Sequence, residues 1–300
     1  MNRRTIALGT TLLLLGTLVS ACAQDKTPTA GSSPSAAPSE SAGTPQASAT
    51  PSPEPSAAAS PTPSSAKPPA DAEEPPAEAP AADLPKSYIM NKNYFIVPID
   101  KERTDNKVVL LTFDDGPKAP ETLDPLLDTL DKHGAKAIFF VNGYRVKEHP
   151  ELLKKIDERG QTIGNHSWDH IELKKESEPE IRKQLESVQE IVKETTGKTP
   201  VFFRPPHASS NDAVRKVARE NGLLFMTWSN GSLDWDMNKV PEEKRPQAVI
   251  DNVLEQLHPG SNILMHELPW TAKALDGLLT QLEEKGYSFA DPGAIDTELE

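Results

Sequence analysis

Two adjacent carboxylates, Asp114 and Asp115, come directly after the apolar run 107–113 and directly before Gly116-Pro117. A hydrophobic strand that ends in two acids is not a core segment, because an ionised carboxylate is costly to bury without a partner. Successive side chains of a strand point to opposite faces, so the two acids are suited to different tasks, such as metal ligand and proton acceptor. The alternative is a solvated turn whose acids cap the next helix.

Two histidines, His166 and His170, follow the apolar run 161–164. At positions i and i+4 they can share one face of a helical turn and bind one metal ion through ring nitrogens. Such a pair is often incidental on its own. Together with an acid of the 114–115 pair it makes an Asp-His-His set with open positions, which is typical of a catalytic rather than a structural metal site.

An arginine, Arg204, leaves the apolar run 200–203 and is followed by Pro205 and Pro206. A charged group on such a run needs a carboxylate partner, and the first-strand acids are the natural candidates. The prolines fix the backbone and would hold the N–H of His207 in place as an oxyanion donor. The alternative is that Arg204 only joins two strands.

A further histidine, His266, ends the apolar run 262–266. A strand-end histidine with an acid to orient it is a candidate general acid. Taken alone, it is more often a structural residue.

Short apolar runs alternate with helix-patterned segments between residues 107 and 290. The runs are mostly β-branched or aromatic and several lack strict alternation, which is typical of strands buried on both faces. They cover residues 107–113, 136–141, 161–164, 200–203, 223–228, 262–266 and 287–290. The helical segments cover residues 120–132, 147–159, 178–196, 211–221, 246–257 and 271–285.

Repeated βα units predict a parallel sheet, either open or closed into a barrel. About seven strands in this length favour a barrel smaller than eight-fold. The polar groups above then lie at the carboxyl ends of strands, where such barrels build active sites. Residues 86–106 are expected to form a short lead-in pair of strands.

These groups, in this order, resemble the motifs of the polysaccharide deacetylases, which are carbohydrate esterase family 4 with its NodB-type domain. The similarity covers about residues 107–290, and its most specific part is TFDDG at 112–116 together with His166 and His170. It implies an α/β fold, a distorted (β/α)7 barrel. It also implies a divalent metal, zinc first with Co²⁺, Mn²⁺ or Ni²⁺ as alternatives, and hydrolysis of N-acetyl or occasionally O-acetyl groups on a sugar polymer.

The resemblance assigns roles to the acids, the histidine pair and the arginine. Asp114 matches the catalytic base, and Arg204 matches the residue that holds it. Asp115, His166 and His170 match the metal ligands.

The resemblance also assigns the proton donor and the walls of the pocket. His266 matches the general acid, and Asp234 matches the carboxylate that orients it. The acetyl pocket would be walled by Leu264, Trp235 and Trp228.

The chain departs from the family pattern at two positions. His207 stands where the family usually has a tyrosine, whose backbone N–H donates to the oxyanion. A histidine can still provide this backbone N–H. The change also adds an imidazole near the metal. Gly231 stands where many members have an aspartate, which puts substrate choice rather than catalysis in doubt.

The N terminus predicts a lipid anchor. Arg3 and Arg4 precede the apolar stretch 6–19, which is short for a membrane span and suits a signal peptide. The stretch ends LVSAC at 18–22, which resembles a bacterial lipobox and implies cleavage before Cys22 and a lipid on its sulfur. Residues 1–21 are therefore predicted to be a lipoprotein signal peptide; an ordinary signal peptide with an incidental cysteine is the alternative.

A linker is predicted to follow, so that residues 22–85 hold the lipidated Cys22 and a spacer. Residues 24–85 contain 15 of the 29 prolines, 16 alanines and no aromatic residue, too little large apolar surface for a core. Residues 86–300 form the predicted catalytic domain. Such a tether would place the domain outside the cytoplasm, anchored to the cell membrane, and let it work at a distance from it.

The net charge of −13, with no basic block, excludes nucleic acid as a partner. A single cysteine excludes an internal disulfide and a multi-cysteine zinc cluster. We expect a monomer that removes N-acetyl groups from a cell-surface polysaccharide, with the amino sugars of peptidoglycan as the first candidate. The alternatives are an O-acetyl ester hydrolase on a polysaccharide, a non-catalytic glycan-binding lipoprotein, and an unrelated metal-dependent amidohydrolase.

Overall fold

The computed structural model of the chain describes residues 84–298. The predicted signal peptide, Cys22 and nearly all of the predicted linker lie outside these residues. Among residues 84–298, no helix is both long enough and apolar enough to cross a bilayer.

The strands of the described residues are short, with one exception of nine residues. They are β1 (Tyr88–Met90), β2 (Ile96–Pro98), β3 (Val108–Gly116), β4 (Ala137–Val141), β5 (Thr162–Asn165), β6 (Phe202–Phe203), β7 (Leu224–Phe225), β8 (Asn230–Gly231), β9 (Ser261–His266) and β10 (Ser288–Phe289). The helices are α1 (Pro120–Lys132), α2 (Gly143–Glu148), α3 (Pro150–Glu158), α4 (Glu178–Thr196), α5 (Asp212–Glu220), α6 (Arg245–Glu255) and α7 (Pro269–Glu284).

Seven parallel strands form one continuous sheet in the order β7-β6-β5-β4-β3-β9-β8. β10 pairs with the first residues of β3, also in parallel. The sheet curls around a core, and its two end strands, β7 and β8, are joined by residues 226–229 alone. This architecture confirms the distorted (β/α)7 barrel.

The central strand β3 is buried on both faces, as the apolar pattern predicted. Val109, Leu111 and Phe113 pack outward into the cluster formed with the helices. Val108 and Leu110 belong to the inner cluster, with side chains such as Phe140. Because side chains alternate along a strand, Thr112 and Asp114 continue this inner row towards the mouth of the barrel.

The lead-in strands β1 and β2 pair with each other in antiparallel fashion. They close the end of the barrel opposite the mouth, because Ile96 is part of the inner cluster and its N–H donates to Gly260 O at 2.9 Å. Gly260 has φ +76°, and a Cβ there would lie 2.1 Å from Ile96 O, so this contact requires glycine.

The structure differs from the sequence expectation in one helix, which is divided in two, and in one additional strand. The segment predicted as one helix over 147–159 is two helices that meet at His149, because Pro150 cannot continue the helix before it. The strand β8 was not expected; two residues long, it pairs with Ile263 and Leu264 in the middle of β9 and forms the last strand of the sheet.

Candidate active site

The sequence-predicted site residues come together at the carboxyl ends of the parallel strands. They line an open cleft of about 400 Å³. The lining residues are Asp114, Asp115, His166, His170, Pro205, His207, Trp228, Trp235, Leu264 and His266. Sequence reasoning had given Pro205 only a backbone role.

Three side chains offer ligand atoms to a single point in this cleft. Asp115 Oδ1 lies 3.0 Å from His170 Nε2 and 3.4 Å from His166 Nε2. The ligand atoms of the three residues all fall within 4.8 Å of one another. His166 Nδ1 lies 2.7 Å from Arg204 O; since a carbonyl only accepts, Nδ1 carries the proton and Nε2 presents a lone pair to the cleft.

The donor set fits a divalent metal ion. Asp115 Oδ1 is buried and has no aligned hydrogen-bond partner, so it is an orphaned oxygen that a cation would satisfy. Burial opposes ionisation of Asp115, but the adjacent His166 and His170 outweigh this and hold the pKa of the carboxyl well below its usual range. Two imidazoles, one carboxylate and an open cleft are the pattern of a catalytic zinc site.

The backbone around these ligands adopts conformations that residues other than glycine rarely use. Asp115 has φ +66°, Ser167 +64°, His170 +55° and His207 +56°. Left-handed non-glycine residues concentrate at functional sites, where the surrounding structure maintains the strain.

A register shift in the pairing of β3 with β4, between Asp114 and Gly116, explains how both acids face the cleft. In a regular strand Asp115 would point away from Asp114. The irregularity redirects the Asp115 side chain, as β-bulges beside active sites commonly do. The segment 166–170 is likewise irregular rather than the helical turn expected from its spacing, and the two histidines converge through left-handed backbone turns.

Asp114 is held by Arg204 inside the barrel. Arg204 is fully buried and donates from Nη1 to Asp114 Oδ1 at 2.7 Å and to Thr112 Oγ1 at 2.8 Å. Its guanidinium lies over the Phe140 ring, 4.4 Å from the centroid. The arginine thus fixes one oxygen of Asp114, whose Oδ2 lies 3.7 Å from His166 Nε2.

Arg204 also ties together the two ends of the sheet. Its Nη2 donates to Thr227 O at 2.8 Å, in the segment that joins β7 to β8. From the other side, Asn262 Nδ2 of β9 donates to the same carbonyl at 3.1 Å. We call this junction the seam. Sequence reasoning missed the contributions of Thr227 and Asn262, which carry no motif signal.

His266, on the strand next to that of Asp114, is oriented by Asp234. His266 Nδ1 and its backbone N–H both lie 2.7 Å from the Asp234 carboxylate, which also accepts from Thr271 Oγ1 at 2.7 Å. Nε2 is thereby the ring nitrogen left for the cleft. Burial opposes protonation of the ring, but the Asp234 hydrogen bond and the charges of Asp234 and Asp114 outweigh it, so the pKa of His266 lies above its usual 6.5.

The remaining walls are mostly aromatic. Trp235 lies edge-on to His266 at 5.4 Å and to Trp228 at 6.2 Å between ring centroids, and it remains 42% exposed. His207 lies edge-on to His170 at 4.7 Å. Burial and the neighbouring His170 lower the pKa of His207 below its usual 6.5, which favours the neutral form of the additional imidazole.

Gly231 leaves room beside these aromatic side chains. A Cβ there would meet Trp235, Trp228 and Leu233 at 3.5–3.8 Å, which is ordinary contact distance. A larger residue at 231 would therefore crowd the aromatic wall.

Comparison with known proteins places this site in a family. A protein-family model described as Polysaccharide deacetylase matches residues 101–226. The peptidoglycan-N-acetylglucosamine deacetylase PgdA of Listeria monocytogenes is 38% identical over 214 residues, which are 69% of this chain and 43% of PgdA. The chain thus spans less than half the length of that relative.

Two further relatives are covered more fully. The peptidoglycan-N-acetylmuramic acid deacetylase PdaA of Bacillus subtilis is 36% identical over 188 residues, 62% of this chain and 70% of PdaA. The solved structure of BA3943 from Bacillus anthracis, described as a family 4 carbohydrate esterase pseudoenzyme, has a TM-score of 0.58 at 35% identity and covers 62% of this chain and 64% of its own. On the strength of fold, cleft and these similarities, the chain belongs to the polysaccharide deacetylase family, carbohydrate esterase family 4.

Proposed function

We propose that the chain is a metal-dependent hydrolase that removes N-acetyl groups from a cell-surface polysaccharide, with the amino sugars of peptidoglycan as its substrate. One observation carries this proposal: a complete base, metal-ligand and acid set lines one cleft. Asp114, the Asp115-His166-His170 ligand set and His266 all line it, and Asp234 is bonded to His266. The names of PgdA and PdaA support peptidoglycan as the polymer.

Different residues of the cleft take separate roles in amide hydrolysis. Asp115, His166 and His170 would hold a divalent cation, which would supply Lewis-acid polarisation in the site. Asp114, fixed by Arg204, accepts the proton of the attacking water. The backbone N–H of His207 donates to the oxyanion that forms on the acetyl carbon.

Collapse of that tetrahedral centre needs a proton on the leaving nitrogen. His266 Nε2 donates it, and Asp234 stabilises the imidazolium beforehand. The C–N bond breaks, and the products are acetate and a free amino sugar. Leu264, Trp228 and Trp235 exclude water and enclose the acetyl methyl group.

Location follows from the N-terminal sequence. We infer that Cys22 carries a lipid and that the linker holds the domain outside the cytoplasm, at the cell membrane and within reach of the wall. A monomer suffices for this chemistry, because every group in the proposed mechanism comes from one chain.

A second candidate function is glycan binding without hydrolysis, favoured by the description of BA3943 as a pseudoenzyme. Against it stands the retention in this chain of Asp114, His266 and all three ligand side chains. An esterase acting on O-acetyl groups is the other alternative, because the same cleft could activate water towards an ester.

An acetate-release assay separates these functions. The purified full-length chain is incubated with zinc and with peptidoglycan, chitin oligomers or an O-acetylated xylan, and the sugars are identified by mass. We expect acetate and free amino sugars from peptidoglycan, and about 10²- to 10⁴-fold slower release with Asp114→Asn. Acetate from the xylan alone would favour the esterase, and none from any substrate would favour glycan binding.

A further inference from the structure

Glu267 follows His266 at the end of β9, but its carboxylate points away from the cleft. The residue is 1% exposed and is absent from the cleft walls. Sequence reasoning attached no role to it. A buried acid beside the proton donor, with no part in the mechanism, calls for a physical explanation.

The Glu267 carboxylate is bound to the turn that follows the paired aspartates. Lys118 N–H donates to both of its oxygens at 3.0 Å, and Ala119 N–H donates to Oε1 at 3.1 Å. Thr122 Oγ1 donates to Oε1 at 2.7 Å. All of these donors belong to residues 118–122, at the start of α1.

These contacts supply what α1 lacks in its own sequence. Its N-cap residue, Ala119, has no side chain that can accept a hydrogen bond. A carboxylate at a helix N terminus satisfies free N–H groups and interacts favourably with the helix dipole. Glu267, distant in sequence, therefore caps the helix that begins directly after the catalytic turn.

The same carboxylate approaches the backbone of that turn closely. A Cβ added to Gly116 would lie 2.8 Å from Glu267 Oε2. The glycine after the two aspartates is therefore needed for the carboxylate to fit against the backbone. This close approach fixes the path of the chain one residue beyond Asp115.

These contacts lie directly beyond the point where the pairing of β3 with β9 ends. The β3–β9 ladder ends at the pair Asp114 and His266. Beyond this pair, Asp115 lies in the irregular backbone of the bulge. Glu267, the residue after His266, connects β9 to the turn that follows Asp115 through its hydrogen bonds.

We propose that Glu267 is a positioning residue that holds the Asp115 turn in register with His266, so that the metal ligand and the proton donor keep a fixed separation. It is not among the residues that line the cleft or that form the proposed ligand set. This inference rests on the proposed function for its link to turnover, whereas its link to metal binding stands apart from any activity.

The test compares Glu267→Gln with a matched control, Glu121→Gln, in the full-length chain. Glu121 is an exposed acid in the first turn of the same helix, so its loss removes a similar charge–dipole interaction without touching the turn. The amide of Glu267→Gln removes the negative charge and keeps a single acceptor oxygen, so that an NH₂ group replaces the Oε2 acceptor of the Lys118 N–H. Zinc affinity is measured by titration without substrate, and kcat and KM are measured by acetate release.

We expect Glu267→Gln to weaken zinc binding and to lower kcat, each by about 10- to 100-fold, as is usual when a group that supports a metal ligand is lost. KM should change by less than about threefold, because the aromatic walls are intact, and Glu121→Gln should match the wild type in both measurements. Folded Glu267→Gln protein with wild-type zinc affinity and kcat would overturn the inference.

A second variant covers the case in which Glu267→Gln does not fold. Thr122→Val removes one donor to the carboxylate and keeps the charge, and we expect a several-fold loss of zinc affinity with thermal stability close to that of Glu121→Gln. Wild-type zinc affinity in Thr122→Val would then overturn the inference. A wild-type chain that binds zinc but releases no acetate would overturn the proposed function alone, and the zinc affinities would still decide the role of Glu267.

Discussion

Asp114 and Asp115 are neighbours in sequence, yet their surroundings prepare them for different work. Asp114 is paired with the buried Arg204, whereas Asp115 has an orphaned oxygen directed at two imidazoles. The pair can therefore be separated by mutation, since we propose only Asp115 as a metal ligand.

Changing Asp114 to Asn should lower turnover by about 10²- to 10⁴-fold, the usual contribution of one acid–base group, and leave zinc affinity close to wild type. Changing His170 to Ala should instead lower zinc affinity and turnover together. Zinc titration and acetate release on the same preparations check both. Near-normal turnover in the Asp114 variant would show that the base is a different residue.

The pH dependence of turnover should report on His266. The residue must be protonated when the amine leaves, so activity falls as pH rises through its pKa. That pKa lies above 6.5 because Asp234 stabilises the imidazolium against the effect of burial. Changing Asp234 to Asn removes the stabilising charge, and the alkaline limb of the kcat profile should move to lower pH. An unmoved limb would assign it to a different group.

A leaving-group comparison tests the same residue by another route. His266→Ala should lose about 10²- to 10⁴-fold on an amide-linked acetyl group, whose amine needs a proton in order to leave. An activated aryl acetate needs little protonation and should lose much less. Equal losses on both substrates would mean that His266 positions the site and does not deliver the proton.

At the level of elements, the loop that carries the histidine pair depends on a close contact with the start of α2. Gly143 N–H donates to Ser167 O at 3.2 Å, and a Cβ on Gly143 would lie 2.1 Å from the Trp168 ring. Trp168 stands between the two ligand histidines in the chain. The glycine therefore permits the ring, and with it the ligand loop, to pack against α2.

Changing Gly143 to Ala should destabilise the fold by about 1–3 kcal/mol, as overpacking usually does, and weaken zinc binding through the displaced Trp168 loop. Gly277→Ala is the control: it lies in α7, where the added Cβ meets only Ile250 Cδ1, at 3.3 Å, and where alanine is the better helix former. Chemical unfolding and zinc titration compare the two. Equal stability of both variants would contradict the packing argument.

The alternation of strands and helices could be predicted from sequence because apolar periodicity and terminating glycines are local signals. Helices α1 and α4 have the predicted bounds, and Gly134 and Gly197, which follow their ends, have φ +58° and +76°. The bulge at Asp115 could not be predicted, because it depends on pairing with β4. Strand β8 was missed because Asn230 and Gly231 have no strand pattern and pair only through β9.

The candidate site, too, could be predicted from the sequence only in part. Residue types at strand ends identified the acids, the histidines and Arg204, and the fold brings them into one cleft. Glu267 was missed because its partners are mainly backbone N–H groups, which leave no trace in residue type. The roles assigned to individual residues remain predictions until the variants are measured.

For the whole molecule, the main expectation concerns residues outside the described range. Changing Cys22 to Ser should release the protein from the membrane fraction, because the predicted lipid is the only anchor that we propose. Zinc-dependent acetate release should be unchanged, since the cleft lies wholly within residues 114–266. Cell fractionation with an antibody to the chain provides the measurement. Unchanged membrane association would remove the lipoprotein prediction and leave the uncleaved segment or a binding partner as the anchor.

The seam has a consequence for how this chain tolerates change over generations. Arg204 binds both the proposed base, Asp114, and the carbonyl of Thr227, in the segment that joins the sheet's ends. Losing one partner of a buried ion pair costs about 3–5 kcal/mol, so replacing Arg204 endangers the shape as well as the chemistry. His170 and His266 are only partly buried and do not bond to the seam. If the proposed hydrolysis is correct, a descendant that abandoned it would therefore be expected to discard these histidines early and to keep Arg204, as an inherited trace of that reaction.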